Sequence, residues 1–224
     1  VVNLGGGEGP TPDYTEFTKL LIVQPNQAYN ESGQPTGEYT SFTLKVGTDG
    51  MYTEVVNNGW YDETKIKGTG QVLSIDFYTA DGTVAAGTYT ACEVGGTINE
   101  GEFGIGYDTT VDFGWGPMEM KDWGTCWWTV ADGATSAVKI LDGTMTVAME
   151  GDNVVIKLKS SVVNAKFTYP VAQFVDGTGA PIEVVNLGGG EGNNPAPDYT
   201  EFTKLLIVQP NQAYNESGQP TGEY

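Results

Sequence analysis

The chain of 224 residues carries 29 acidic and 10 basic side chains, a formal net charge of −19, with 39% of its residues apolar. Every basic residue is lysine, and arginine and histidine are absent. Such a surface repels phosphate backbones and lacks the guanidinium fork, which excludes nucleic-acid binding; without histidine, Ser-His and Cys-His catalysis and most zinc chemistry are excluded too.

In chain order, Val1 to Leu4 reads as the end of a preceding unit's last strand, and Gly5 to Pro12 as its linker. No basic n-region or long apolar stretch precedes them, so the numbering reads as that of a mature or trimmed fragment. Next comes Leu20-Leu21-Ile22-Val23, the longest aliphatic run, too short to span a membrane as a helix. Apolar on both faces, it reads as a strand covered on both sides. From there period-two alternation dominates: Phe42, Leu44 and Val46; Leu73, Ile75 and Phe77; Met145, Val147 and Met149; Val154, Ile156 and Leu158; Phe167 and Tyr169. Asp-Gly pairs at Asp49, Asp81, Asp132, Asp142 and Asp176 punctuate these runs as tight turns do. The expectation is an all-β fold, an antiparallel β-sandwich of immunoglobulin-like or jelly-roll type, with a closed barrel as the alternative. The last strand is Ile182 to Leu187, followed by a glycine- and proline-rich linker.

Self-comparison gives the strongest signal. Val1 to Gly9 recurs as Val184 to Gly192, and Pro12 to Tyr39 recurs without a change as Pro197 to Tyr224. The organisation expected is a preceding repeat's end with its linker (1–12), a folded unit (13–187), a linker (188–197) and the opening of the next unit (198–224). The assembly strand is therefore Leu20, Leu21, Ile22 and Val23 in one copy, and Leu205, Leu206, Ile207 and Val208 in the other. Leaving such a strand in water forgoes about 1.5–3 kcal/mol per side chain before ordering costs, so the surplus copy should seek a slot. It either begins the next unit of a beaded array or fills the slot of a neighbouring molecule; strand donation is the expectation.

Cys92 and Cys126 lie in strand-like contexts and are compatible with one disulfide, worth about 3–4 kcal/mol in the chain-entropy model; two buried free thiols are the alternative. The segment from Glu102 to Trp128 is rich in aromatic residues mixed with acids and glycines. Aromatic faces beside carboxylates suit a sugar, which nominates Trp115, Trp123, Asp112 and Asp122 as ligand contacts. Core and loop packing is the competing reading, favoured for Trp127 or Trp128. No cofactor or catalytic metal is expected. A structural calcium ion is a minor possibility, because oxygen ligands abound while the spacing of a calcium loop is missing. No carboxylate pair stands out for glycoside hydrolysis.

The strands VLSIDFYT, the segment GTVAAGTYTACE and the hairpin DGTMTVAMEGDNVVIKLKS resemble secreted tandem-repeat β-sandwich domains of bacterial cell-surface proteins, over roughly 39–174. The resemblance implies an extracellular or cell-surface location and adhesion or fibre formation, often with glycan contact, and it supplies no catalytic residues. The expected function is a non-enzymatic structural or adhesive repeat that assembles head-to-tail with copies of itself, and the alternative is a carbohydrate-binding module.

Overall fold

The structure is a computed structural model that describes residues 13–30, 34–57, 59, 62–112, 116–131 and 134–186. The expected linkers and the second copy of the opening segment, with Leu205, Leu206, Ile207 and Val208, lie outside the described residues.

The chain is all-β. Its strands are β1 (Thr15–Phe17), β2 (Lys19–Tyr29), β3 (Pro35–Gly47), β4 (Met51–Asn57), β5 (Asp62–Gly68), β6 (Gly70–Phe77), β7 (Val84–Ala91) and β8 (Glu102–Gly104). They continue as β9 (Tyr107–Asp112), β10 (Pro117–Trp123), β11 (Cys126–Ala131), β12 (Ala134–Lys139), β13 (Thr144–Glu150), β14 (Asn153–Lys159), β15 (Asn164–Pro170) and β16 (Val184–Asn186). Among the described residues the only helical element is a 3-10 turn, Val171–Gln173.

Twelve strands form one mixed sheet; β4–β5 and β9–β10 are separate two-stranded hairpins. Strand β6 is its hub, with β3 along one edge and β8 and β11 end to end along the other. From β8 the wall passes through β7, β13, β14 and β15 to β1, and then β2 returns to β3. One sheet thus wraps nearly into a barrel, between the sandwich and barrel alternatives. Three pairings are parallel, β1 with β15, β7 with β8 and β16 with β7, which depart from the antiparallel expectation. Alternation fixes which face a side chain takes but carries no strand direction, so parallel partners brought together by long crossovers leave no mark in it.

The inner face holds the main core. Phe42, Phe77, Tyr89, Phe103 and Phe174 are fully buried, with Phe42 tilted on Phe77 at 5.2 Å and Phe77 edge-on to Tyr89 at 5.5 Å. Tyr89 satisfies its hydroxyl by donating to the Ala85 carbonyl at 2.6 Å, and burial pushes its pKa up to about 12.

Strand β2 shows how a run apolar at every position is accommodated. Leu20 faces Val46 and Ile22 faces Lys45, consecutive residues on β3, so Leu21 is the extra residue of a bulge. Leu20 and Val23 consequently both pack on the main core, while Leu21 joins a smaller cluster with Met51 and Val72 beneath Ile66 and Trp128. Both faces are covered, as expected.

The disulfide is corrected. Cys92 and Cys126 are buried free thiols with separate partners. Cys92 Sγ donates to the Val94 carbonyl at 3.2 Å and accepts the Ile105 amide at 3.3 Å, whereas Cys126 Sγ reaches the Trp123 carbonyl at 3.6 Å. Cys126 sits in the wall between β6 and β12, and burial followed by the Asp122 charge pushes its pKa to about 12.

Candidate functional site

The strands that build the core present a different surface outward. On β3 and β6 the residues between Phe42, Leu44, Leu73, Ile75 and Phe77 are Thr43, Ser74 and Asp76, and they must face away from the barrel interior. Register then lines them up: Gln24 opposite Thr43, Thr43 opposite Asp76, and Asn26 opposite Ser41.

These side chains are bonded into one network. Thr43 Oγ1 donates to Asp76 Oδ1 at 2.7 Å. Asn26 Nδ2 donates to Thr43 Oγ1 at 2.8 Å and to Ser41 Oγ at 3.0 Å. The Asp76 amide donates to the hydroxyl of buried Thr125 at 3.3 Å. Burial raises the Asp76 pKa above the usual carboxylate value, against the opposing pull of the Thr43 hydroxyl and the Lys45 charge.

The floor lies under a cleft of about 480 Å³, whose upper wall is the base of the β9–β10 hairpin with Tyr107, Asp122, Trp123 and Gly124. The hairpin's register slips between Met120 and Trp123, and Asp122 there has φ of 59°, the one positive φ outside glycine among the described residues. Its amide donates to Asp108 Oδ1 at 3.0 Å, and Asp108 Oδ2 is bound to Lys139 Nζ at 2.6 Å. The Lys139 ammonium holds the Asp108 carboxyl below its ordinary value, and Asp108 in turn raises the lysine. Gly124, at φ of 74°, is needed because a Cβ would run into the Ile105 carbonyl. Beside these contacts Trp123 lines the cleft and stays 39% exposed. Tyr107 lies deeper; burial raises its pKa, and the Asp76 charge adds to the shift.

Of the residues nominated from sequence, the structure brings Asp122 and Trp123 to the cleft. Asp112 ends β9 on the surface, accepting the Gly116 amide at 3.2 Å, and takes no part in lining it. Trp115 lies outside the described residues. Trp127 and Trp128 take opposite faces of β11, the first against the main core and the second on the small cluster and the cleft wall. Sequence reasoning missed Asp76 and Thr43. Their signal was an acid and a hydroxyl alternating with core residues on long strands, legible only once the next strands are known.

A second groove, of about 800 Å³, runs along the seam between Leu20 to Pro25 and Tyr169, Gln173 and Val175. Beyond the β1–β15 pairing, β2 bonds β3 alone among the described residues, so its outer edge borders this groove unpaired. No group of three or more acidic or cysteine side chains converges as a metal site among the described residues. Asp176 instead closes its own turn, accepting from the Thr178 amide and hydroxyl and the Ala180 amide. No described helix is long and apolar enough to cross a membrane.

No family model, no curated protein and no solved structure matches the chain.

Proposed function

We propose that this chain is a non-enzymatic structural or adhesive repeat of a bacterial cell-surface fibre, joined head-to-tail by exchange of its seam strand. One observation carries the reading: the segment that closes the barrel, β1 and β2, is the segment the sequence repeats without a change from Pro197. Phe17, Leu21 and Val23 are buried in that seam, and each such side chain contributes about 1.5–3 kcal/mol. A seam left empty is therefore strongly disfavoured, while either copy fills it equally well because the two are identical. Which copy occupies it is then decided by effective concentration, hence by linker length and protein concentration. Filling by a neighbour's copy is a heterologous contact that need not close, the geometry of a filament. The unpaired outer edge of β2 gives an arriving strand a place to begin.

Light scattering on the full chain tests this. Oligomers should grow with concentration, and Leu206→Lys with Ile207→Lys should return the protein to monomers. A wild-type chain that stays monomeric at every concentration defeats strand exchange, as does a double variant that assembles unchanged.

A further inference from the structure

We infer that the cleft between the outer face of β3–β6 and the base of the β9–β10 hairpin is a binding site for a neutral saccharide, about one or two sugar rings in length. This goes beyond the assembly reading and does not depend on it: β2 supplies Ile22, Gln24 and Asn26 to the cleft, and the repeated segment carries the same residues, so the lining is the same whichever copy fills the seam.

Three observations carry the inference. First, the cleft pairs a polar floor with aromatic walls. Asn26, Thr43, Lys45 and Asp76 offer both donors and acceptors, while Tyr107 and Trp123 present ring surface. A sugar ring has the complementary split, with hydroxyls around its edge and C–H groups on its faces, and it is not matched by a purely apolar or a purely ionic ligand.

Second, the floor is preorganised and incompletely used. Asp76 Oδ1 is held by Thr43, and Thr43 is held by Asn26. No described residue donates to Asp76 Oδ2, and the half-buried carboxylate keeps that oxygen open to the cleft. A partly shielded carboxylate oxygen with an open acceptor position suits a ligand hydroxyl, which it would receive in a charge-assisted bond. A network already fixed by its own hydrogen bonds loses little freedom when the ligand arrives.

Third, the charge selects against anions. The chain carries −19, and Asp76 and Asp122 both line the cleft against the single ammonium of Lys45. A uronic or sialic acid would meet repulsion there, so the fitting sugars are uncharged.

A glycan array of neutral and acidic oligosaccharides, probed with the full-length chain and followed by titration of intrinsic tryptophan fluorescence, tests the inference. Neutral glycans should bind and quench Trp emission, with acidic counterparts at least tenfold weaker. Trp123→Ala, at an exposed position, should weaken binding at least tenfold, and Asp76→Ala should do the same. Met118→Ala, on the exposed surface of the same hairpin and outside the cleft, should leave binding unchanged. If Asp76→Ala fails to fold, Trp123→Ala still decides. The inference is overturned if no neutral glycan binds, if acidic glycans bind preferentially, or if Trp123→Ala binds as tightly as wild type.

Discussion

Strands β3 and β6 have two faces, and the contrast between them explains most of this molecule. Inward, Phe42, Leu44, Val46, Leu73, Ile75 and Phe77 are almost wholly buried within one apolar cluster. Outward, Ser41, Thr43, Ser74 and Asp76 occupy the alternate positions of the same backbone and floor a polar cleft. The outer face is also substantially withdrawn from water, Ser74 being only 6% exposed, yet it keeps hydroxyls, a carboxylate and an ammonium. Burial alone therefore does not distinguish core from site. The distinction lies in whether the withdrawn groups are apolar and mutually packed, or polar, hydrogen-bonded to one another and open to a cleft.

The largest expected effect comes from breaking the inner face. Phe77→Ala should destabilise the fold by about 3–5 kcal/mol, because the cavity it leaves is enclosed by Phe42, Tyr89 and the rest of the core. Urea denaturation followed by tryptophan fluorescence measures this; a loss below about 1 kcal/mol would mean the inner face is not close-packed. Leu21→Ala, in the smaller outer cluster with Met51 and Val72, should cost less, about 2 kcal/mol, since that cluster can collapse towards the β4–β5 hairpin. Equal losses at the two positions would erase the difference between the interior and its outer satellite.

The outer face should respond in the opposite sense. The folded-state pKa of Asp76 is raised, so folding favours its protonated form. Stability from this group is present below the ordinary carboxylate value and is lost as pH rises through the raised one. Asp76→Asn should therefore gain on wild type between pH 3 and pH 7, and the gap in urea midpoint should widen over that interval. A gap independent of pH would show that water reaches the carboxylate freely. The smallest effect is expected at the hairpin base. Asp122→Gly removes a side chain from positive φ and should stabilise by less than about 1 kcal/mol, since glycine's added chain entropy offsets part of the relief. Calorimetry resolves the sign, and a clear loss would mean that the Asp122 side chain itself supports the cleft.

Alternation made the inner face readable from sequence. Phe42 to Val46, Leu73 to Phe77, Met145 to Met149 and Val154 to Leu158 all fall in strands with the expected residues inward, except Met149, which lies exposed near the end of β13. The Leu20 to Val23 run was readable as doubly covered, though not the bulge at Leu21 that arranges it. Asp122 and Trp123 were found because aromatic residues beside acids are conspicuous. Asp76 was not, because its neighbours in space, Thr43 on β3 and Thr125 in the bend before β11, are far away in sequence and only the fold joins them. The free thiols have the same origin: strand-like surroundings placed both cysteines in the wall, but pairing requires knowing which strands adjoin.

The seam has a kinetic consequence. Thr15 pairs with Ala165 and Phe17 with Phe167, among the longest-range contacts in the molecule, whereas β2 pairs with the neighbouring β3. The β2–β3 ribbon can therefore form as soon as it leaves the ribosome, but β1 must wait for β15. At a synthesis rate of about 5–20 residues per second, that wait is on the order of ten to thirty seconds. Throughout it Phe17 and the edge beside it are without their final partner, and contacts of such separation form slowly in any case. If the proposed exchange holds, a nearby chain's copy of the segment would compete with β1 once β15 is made. On the proposed strand exchange, the order of synthesis would set the starting distribution from which linker length and concentration then decide which copy closes each barrel.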